Sequence, residues 1–591
     1  MRGRDQAGPN DDRAERPEPR HVLVAVAWPY ANGSLHLGHL AGAYLPADIF
    51  ARYHRIAGNR VLMVSGSDGH GTPITVRAEQ ESTTPRAVVE RFHPEFLRYW
   101  DELGISFDLF TTTLTENHAA TTQEVLRGLH ENGLLEARTT LQPFDPVALR
   151  FLPDRYVEGT CPRCGSDDAR GDQCDACGAT LDPIDLIDPR SKLTGATPEQ
   201  RETEHFFFLL PKLEERMLAW LESRQGWRPH VINWALGFVR EGFHDRAITR
   251  DIDWGVALPD DVTLTGAEGK RIYVWFDAVI GYLSASREWA RRSGDPEAWR
   301  AWWEDPAAES YYFIGKDNVP FHAVFWPAQL MGSGTLNLPT NVPANQYVTF
   351  KGAKASKSRG VGRSLLDYLE VYQPDALRYA VAAHLPEQAD VDLTEEDMVR
   401  RINDELSAAW GNLVNRVFAM TAKNFDGVVP DPGELADVDR ALLATIDAVL
   451  VDGAVALEGV ELRRALRLAL SGAQEVNAYL NELEPWRTAK TDRARTATTL
   501  NTALQAISGL VVAFAPFTPF SSATIHGWLG LDGTLEDGGW RRPDVPVGSR
   551  LGDAVPLFAR VELIEEVSSE DPAREPTLAP TSAPTPDGAE G

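Results

Sequence analysis

The sequence predicts an α/β fold in which a doubly wound parallel sheet is interrupted by an inserted domain and followed by an all-α bundle. Three observations support this: a strand-loop-helix unit near the N-terminus, two cysteine pairs where the α/β rhythm stops, and helical periodicity over the last third of the chain. With 591 residues, 43% of them apolar, the chain is long enough to hold several domains.

Composition and charge narrow the function classes. The mean hydropathy of -0.28 and the lack of a run of about twenty apolar residues argue against a membrane protein, and the N-terminal stretch has no apolar core of a signal peptide. We therefore expect a cytoplasmic protein. The net charge of -28 opposes long-range attraction to nucleic acid, so any RNA contact would depend on local basic patches and base stacking.

The strand-loop-helix unit spans His21 to Gly42. Val22 to Trp28 is a short apolar run rich in β-branched residues, typical of a buried strand, and helical periodicity begins after the following loop. His36 and His39 open that helix three residues apart, so both rings and the helix N–H groups can face one anion, and Gly38 lets a ligand approach the backbone. Two histidines at this spacing are as often a capped helix start or a surface pair.

The helix after this loop contains Pro46. Because proline lacks an N–H, we expect a kink or two consecutive helices, ending near Gly58. A second strand, Val61 to Ser65, then brings Asp68 to the carboxyl edge of the sheet, where ligands bind in parallel α/β proteins. A carboxylate at this position can bind a substrate ammonium group, or it can simply cap a turn.

A second basic segment lies far downstream, from Phe350 to Gly360, and reads FKGAKASKSRG. Lys354 and Lys357 alternate there with small residues, including Ser356 and Ser358, so the lysines can swing onto a phosphate chain. A solvated basic turn is the ordinary alternative. Together with the two histidines, the segment predicts a nucleoside triphosphate site built from imidazole and ammonium donors.

Four cysteines, spaced C-x2-C-x9-C-x2-C, lie where the α/β rhythm stops: Cys161, Cys164, Cys174 and Cys177. Four thiolates complete a tetrahedral shell and leave no position for water, which predicts one structural zinc ion. A redox pair is the alternative, but such a motif normally follows a strand in a compact α/β domain. Four clustered cysteines also favour a reducing compartment over a disulfide scaffold.

The sheet is expected to resume with strands at Ile272 to Phe276 and Tyr311 to Ile314. From Leu393 the pattern is helical, and one apolar stripe recurs at intervals of three and four residues: Ile402, Leu406, Ala409, Leu413, Val417 and Met420. Further helices to about Leu531 predict a bundle. The ends of the chain are polar and Pro-rich and are expected to be disordered.

In this order, HLGH and KASKS resemble the two marker motifs of class I aminoacyl-tRNA synthetases. The resemblance narrows to the methionyl-tRNA synthetase family through four further stretches, in sequence order: AWPYANGSLHLGH, SGSDGHGTP, YVWFDAVIGY and FIGKDNVPFH. It covers His21 to about Leu531. Three residues depart from the family pattern: Trp28 and Asn318 stand where smaller or apolar residues are common, and Ala355 replaces the usual Met of the lysine loop.

The resemblance implies a Rossmann-like sheet with an inserted zinc-binding connective domain, followed by an all-α anticodon-binding bundle. The expected parts are a tail (1–20), the first half of the catalytic domain (21–135), the connective insertion (136–250), the second half of the catalytic domain (251–345), the lysine loop with a stem-contact domain (346–392), the helical anticodon-binding domain (393–560) and a second tail (561–591).

The implied reaction activates L-methionine with ATP-Mg2+ to methionyl-adenylate and transfers it to the terminal adenosine of initiator and elongator tRNA(Met). The implied catalytic residues are His36, His39, Lys354 and Lys357. ATP would contact Tyr30, Asn32, Gly33, His36, Gly38, His39, Lys354, Ser356, Lys357 and Ser358. Methionine would be bound by Trp28, Tyr30, Asp68, Trp275, Tyr282 and His322, because aromatic rings suit a thioether, although each could be an ordinary core residue. The anticodon would be read by Asn412, Arg416 and Trp486.

Three other functions remain to be weighed. A synthetase for isoleucine, valine or leucine would normally carry a large editing insertion, for which the span between the two marker motifs is too short. A paralogue that joins an amino acid to a small amine would not need the helical bundle. A pure RNA-binding module would show no amino-acid-dependent ATP–pyrophosphate exchange. We expect a monomer, since no appended dimerisation module is visible.

Overall fold

The computed structural model describes residues 18–153, 156–171, 174, 176–177, 181, 183–350, 353–354, 363–553 and 555–563, and for residues 350, 353 and 354 it describes the backbone. The predicted disordered tails fall largely outside the described residues. So do Ala355, Ser356, Lys357 and Ser358, and the side chain of Lys354.

Five parallel strands form the central sheet: β1 (His21–Val26), β2 (Arg60–Ser67), β3 (Leu109–Thr112), β4 (Glu309–Gly315) and β5 (Ala344–Asn345). Their order across the sheet is β5-β4-β1-β2-β3. This is a doubly wound topology whose direction reverses between β1 and β4, the position at which such sheets bind ligands. Residues 22–26 of β1 are completely buried.

Helices cover both faces of this sheet. Before the insertion they are Leu37–His39, the π-helical turn Leu40–Tyr44, Leu45–Ile56, Thr72–Gln80, Pro85–Leu103 and Glu116–Glu131. After it they are Val274–Asp277, the 3-10 turn Ala278–Ile280, Gly281–Ser293, Arg300–Trp303, the π-helical turn Phe321–Phe325 and Trp326–Ser333.

The predicted interruption at Pro46 is confirmed. A π-helical turn ends just before the helix Leu45–Ile56, and Gly58 follows with φ of +88°. Because Pro46 has no N–H, the carbonyls of Ala41 and Gly42, one turn before it, lack their usual helical donor. They accept hydrogen bonds from the Asn345 amide instead, at 3.2 and 3.0 Å. Asn345 ends β5, so it ties this helix to the strand that precedes the lysine segment.

The predicted strand at Ile272 to Phe276 is wrong. Only Arg271–Ile272 is extended, and it pairs with Thr249–Arg250 outside the central sheet; Val274–Asp277 is helical. A continuous apolar run fits a buried helix as well as a buried strand, and here the N–H groups of residues 276 and 277 donate to the carbonyl of residue 273 at 2.8 and 3.1 Å. The strand predicted at Tyr311 to Ile314 is confirmed within β4.

The insertion contains two antiparallel sheets. The larger has strands Leu135–Asp145, Arg150–Phe151, Glu199–Phe208 and Arg246–Ala247; the smaller, next to the cysteines, has Val157–Thr160, Ala169–Arg170 and Ile187–Ser191. Two helices follow, Glu214–Glu222 and Pro229–Arg240. The smaller sheet has a core of its own that includes Cys161 and Cys174.

The C-terminal part is helical. After a small sheet of Val348–Phe350, Ala353–Lys354 and Val391–Asp392, its helices are Leu365–Leu369, Pro374–Ala382, Glu395–Arg400, the π-helix Arg401–Gly411, Asn412–Phe425, Asp437–Glu458, Leu462–Leu483, Pro485–Thr491, Arg493–Phe514, Pro519–Trp528 and Leu535–Gly538. In the predicted stripe, Ile402, Leu406, Leu413 and Val417 are buried, whereas Ala409 and Met420 are partly buried.

One described helix, Arg493–Phe514, is long and apolar enough to cross a membrane. Its most apolar window is wholly buried within the protein, and the surrounding helices supply the apolar contacts that lipid would otherwise provide. The helix is therefore the core of the bundle.

A buried arginine joins the bundle to the catalytic part. The Arg378 guanidinium donates to Asp48 Oδ2 at 2.6 Å and to the carbonyls of Leu103, Pro516 and Phe517 at 2.9–3.1 Å. Neither side chain of the ion pair is exposed to solvent. Removing one partner would leave an unpaired buried charge, which typically costs about 3–5 kcal/mol.

Candidate active site

The candidate site lies at the carboxyl ends of β1 and β4, where the sheet reverses direction. The loop after β1 carries His36 and His39, and the segment after β4 carries His322. Both segments pass through a π-helical turn before continuing as helices, and such turns are frequent at functional sites.

The two loop histidines cap their helix with their own rings. His36 Nδ1 accepts the Gly38 N–H at 3.1 Å, and His39 Nδ1 accepts the His36 N–H at 3.2 Å. Because both Nδ1 atoms accept, each neutral ring carries its proton on Nε2 and is a donor there. A Cβ at Gly38 would lie 2.9 Å from the His36 ring, so glycine is required for this arrangement.

Residues on both sides of the lysine segment contact the chain that carries the two histidines. Asn345 precedes the segment and binds the helix after HLGH, as described above. Leu365, just beyond it, donates its N–H to the carbonyl of Leu35 at 2.9 Å. Residues 345 and 365, on either side of the lysine segment, therefore contact the chain just after and just before the two histidines.

Tyr30 and Asp68 are brought together by backbone pairing. The Ala31 N–H donates to the Asp68 carbonyl at 3.1 Å, and the Asp68 N–H donates to the Pro29 carbonyl at 2.8 Å. The Tyr30 ring packs on the backbone of Gly71, where a Cβ would come within 2.0 Å of it. Asn32 and Gly33 follow directly, so the predicted ATP contacts after β1 stand beside the predicted amino-acid contact after β2.

Asp68 belongs to a buried cluster of ionisable groups. Its Oδ1 accepts the His70 N–H at 2.9 Å, and His70 Nδ1–H donates to Asp277 Oδ2 at 2.8 Å. Burial, together with the Asp277 carboxylate, raises the pKa of Asp68 to about 7. Asp277 Oδ1 is buried and has no hydrogen-bond partner among the described residues. A cation placed here would relieve the repulsion between the two carboxyl groups.

An aromatic pocket adjoins this cluster. Tyr282 O–H donates to His322 Nε2 at 2.7 Å, and His322 Nδ1–H donates to the Asn318 carbonyl at 2.9 Å. Burial lowers the pKa of His322 to about 4, so the ring is neutral at pH 7. Asn318 thus contacts the pocket through its backbone carbonyl. From the sequence it was the side chain of Asn318 that departed from the family pattern.

Trp28 occupies space that two glycines leave open. A Cβ at Gly66 would lie 2.3 Å from the indole, and one at Gly281 would lie 2.7 Å from it. The ring meets Tyr282 edge-on with centroids 6.4 Å apart. The large residue at this position is thus accommodated by the backbones of its neighbours.

Trp275 closes the other side of the pocket. It stacks on Phe321 with centroids 3.9 Å apart and planes 6° from parallel, and it meets Tyr30 edge-on at 6.1 Å. A small cavity of about 50 Å³ lies between Tyr30, His70 and Trp275. A wider cleft of about 480 Å³ leads outward from it, between the helix Thr72–Gln80 and the insertion. All six predicted methionine contacts lie in this one region.

Two functional candidates were missed from the sequence, His70 and Asp277. His70 lies in the motif SGSDGHGTP, and Asp277 lies in YVWFDAVIGY. Each is an ionisable residue in a run of apolar or small residues. Because burying a charge is costly unless it is paired, this pattern could have indicated a functional site.

The four cysteines form a metal site. Their sulfurs lie within 4.8 Å of one another, with Cys161–Cys177 at 3.9 Å and Cys164–Cys174 at 3.6 Å. A tetrahedron with metal–sulfur bonds of about 2.3 Å has edges of about 3.8 Å, so the spacing fits an ion of that size. Gly165, directly after the first pair, has φ of +75°.

The three predicted anticodon residues lie on one face of the bundle. Arg416 approaches the face of Trp486 at 6.0 Å and donates to Asn477 Oδ1 at 2.8 Å. Asn412 is exposed one turn before Arg416, and Trp486 is 40% exposed. The structure thus brings a guanidinium and an accessible indole together, a combination suited to stacking.

Comparison with known proteins agrees with this geometry. The family model described as "tRNA synthetases class I (M)" matches residues 22–418, and the model described as "Anticodon binding domain of methionyl tRNA ligase" matches residues 429–552.

Individual relatives match over most of the chain. The "Methionine--tRNA ligase" of Roseiflexus sp. (strain RS-1) is 53% identical over 88% of both chains, and that of Roseiflexus castenholzii is 49% identical over 94% of this chain and 99% of its own. A solved structure, "Mycobacterium tuberculosis methionyl-tRNA synthetase in complex with methionyl-adenylate", superimposes with a TM-score of 0.75 at 28% identity, covering 92% of this chain and 100% of that one.

Proposed function

The chain belongs to the class I methionyl-tRNA synthetases, and from this premise we propose that its active site is the cluster between the carboxyl ends of β1 and β4. The reaction is the activation of methionine with ATP and its transfer to tRNA. The observation that carries the assignment of the site is the pair of Nε2–H donors of His36 and His39, on a stretch of chain that contacts residues on both sides of the lysine segment.

In the first step, the methionine carboxylate attacks the α-phosphorus of ATP in line and pyrophosphate leaves. The Nε2–H groups of His36 and His39, with Lys354 and Lys357, would stabilise the charge that develops on the phosphate oxygens. Mg2+ bound with ATP would neutralise part of the same charge. Tyr30, Asn32, Gly33 and Gly38, with Ser356 and Ser358, would line the nucleotide.

The methionine ammonium would pair with Asp68. This is supported by the buried Asp277 beside it, which raises the pKa of Asp68 and whose Oδ1 has no hydrogen-bond partner among the described residues, so a bound ammonium group would lessen the repulsion between the two carboxyl groups. The thioether would lie among Trp28, Trp275 and Tyr282, since sulfur makes favourable contacts with aromatic rings.

In the second step, a ribose hydroxyl of the tRNA terminal adenosine attacks the adenylate carbonyl, and AMP leaves. No protein nucleophile is needed. Asn412, Arg416 and Trp486 would read the anticodon of initiator and elongator tRNA(Met). Unpaired bases offer their edges for hydrogen bonds and their faces for stacking.

The four cysteines would hold one structural zinc ion, because their complete thiolate shell leaves no open position for catalysis. Retention of reduced thiolates suits the cytoplasm, where we place the enzyme as a monomer. The chain would divide at residues 135, 250, 345, 392 and 560 into the parts described from the sequence.

ATP–pyrophosphate exchange with each of the twenty amino acids tests this function. Exchange should require methionine and proceed without tRNA. Exchange that depends on another amino acid, or none at all, would refute the assignment.

Lys357→Ala tests the lysine segment. Adenylate formation should fall by orders of magnitude because a cation is removed from the developing phosphate charge, while methionine affinity should barely change. Equal losses in both would count against this role.

A further inference from the structure

A row of six aromatic rings runs from the surface of the insertion to the methionine pocket. In order, they are Trp234, Phe238, Phe325, Phe321, Trp275 and Tyr30, and neighbouring ring centroids are 3.9–6.1 Å apart. The three inner members line or support the pocket already described. The outer end has no part in holding methionine.

The outer end is a stacked pair in which Trp234 is exposed and Phe238 is partly buried. Trp234 and Phe238 lie one turn apart on the helix Pro229–Arg240, with centroids 5.0 Å apart and planes 17° from parallel. Trp234 is 38% exposed. The space beside it is open, since a Cβ at Gly237 would meet nothing within 4 Å. The helix is anchored by the buried residues Val231, Ala235 and Val239, so folding does not require an indole in solvent.

We propose that Trp234 is a stacking platform for an unpaired nucleotide near the 3′ end of tRNA. The inference rests on the proposed function and names the RNA segment that this surface receives. Transfer requires the terminal ribose to reach the adenylate carbonyl, so the unpaired end of the RNA must cross the surface beside the pocket. The ring row makes the Trp234 surface continuous with that pocket.

Base stacking on Trp234 suits RNA binding by an acidic chain. Every base has an aromatic face, and an exposed indole can stack on it whatever the sequence. The net charge of -28 provides no general attraction for phosphate. An acidic protein that handles RNA therefore depends on local contacts of this kind.

The test compares Trp234→Ala with Trp486→Ala, a matched change at a tryptophan of similar exposure in the anticodon-binding part. Each variant is assayed for methionine-dependent exchange, for charging, and for binding to intact tRNA(Met) and to tRNA(Met) lacking its unpaired 3′ nucleotides. Trp234→Ala should lower kcat/KM for tRNA about tenfold and weaken binding of intact tRNA alone. Trp486→Ala should weaken binding of both RNAs equally. Trp234→Tyr should restore charging.

Three results would overturn the proposal: unchanged charging by Trp234→Ala, equal weakening of intact and truncated tRNA, or a changed KM for methionine in the exchange reaction. The last would mean that Trp234 acts on the amino-acid pocket. Absence of methionine-dependent exchange in the unsubstituted chain would instead refute the proposed function itself, so the two failures are distinguishable.

Discussion

The segments that follow β1 and β4 share one backbone plan but use histidine in opposite ways. Each contains a five-residue π-helical turn, Leu40–Tyr44 or Phe321–Phe325, and each then enters a helix with proline in its first turn. After β1, backbone N–H groups donate to the Nδ1 atoms and leave Nε2 as the donor. After β4, Nδ1–H donates to a carbonyl and leaves Nε2 of His322 as an acceptor.

The difference shows how a repeated framework acquires two chemistries. Half-buried rings that donate through Nε2 suit the oxygens of a phosphate chain. A buried neutral ring that accepts from Tyr282 suits an apolar cavity, because all of its polar atoms are satisfied within the protein. The backbone partner of Nδ1 decides the tautomer, and the tautomer decides which ligand the segment can serve.

Removing a donor ring from the β1 segment should give the largest effect. His39→Ala should lower kcat for methionine-dependent ATP–pyrophosphate exchange about 100- to 1000-fold, the usual loss for one donor to developing charge. The KM for methionine should stay nearly unchanged. Initial rates over a range of methionine and ATP concentrations measure both quantities.

Two controls separate the missing donor from the lost cap. His39→Asn keeps an oxygen able to accept the His36 N–H, so it should preserve stability without restoring the rate. Tyr282→Phe, which removes the hydroxyl that binds His322 of the β4 segment, should do the reverse of His39→Ala, raising KM for methionine with little change in kcat. If His39→Ala and Tyr282→Phe each lower kcat and raise the KM for methionine, the two segments do not have separate roles.

Acid should destabilise the protein through the β4 segment. The pKa of His322 is about 4 in the folded chain against 6.5 for an ordinary histidine. Its contribution to stability is therefore complete above pH 6.5 and is lost as the pH falls toward 4, on the order of 2 kcal/mol between pH 7 and pH 5. Urea unfolding at a series of pH values should show a shallower dependence for His322→Phe; parallel curves would contradict the assignment.

The smallest effect is the coupling between Asn345 and the proline after the first π-helical turn. Asn345→Ala should cost about 1–3 kcal/mol of unfolding free energy, because two buried carbonyls lose their donor. Pro46→Ala restores a backbone N–H at that point, so the cost of Asn345→Ala should be smaller in this background. Denaturant unfolding of the four proteins in this cycle measures the coupling.

Pro327→Ala, in the β4 segment, is the matched control for that cycle. It adds an N–H at the corresponding place but lies apart from Asn345, so the cost of Asn345→Ala should not change. Additive costs in the Pro46 cycle would mean that Asn345 does not replace the missing donor. The loss of the bond from Arg228 to Asn345 is common to both backgrounds and cancels.

The sequence predicted the elements whose signal is local. The cysteine spacing, the run from Val22 and the break at Pro46 each follow from neighbouring residues, and the structure confirms the cluster, the strand and the interruption. The run from Ile272 failed because an apolar stretch without polar alternation does not distinguish a helix from a strand.

Features that depend on distant partners could not be read from the sequence. The bond between His70 and Asp277 joins residues 207 positions apart. The tautomers of His36 and His322 depend on backbone groups that face them only in the folded chain. The sequence showed Trp28 only as a departure from the family pattern, since the space for its ring comes from Gly66 and Gly281, neither of which is adjacent to it.

The interaction of Arg378 limits how this chain can be divided. Two of its four acceptors, the carbonyls of Pro516 and Phe517, come from the turn between the bundle helices Arg493–Phe514 and Pro519–Trp528. A shortened protein that ends before residue 516 would keep the Arg378 guanidinium between Asp48 and Leu103 but would lack half of its hydrogen-bond acceptors. The anticodon-binding half thus completes the interior of the catalytic half, and the two are expected to unfold together.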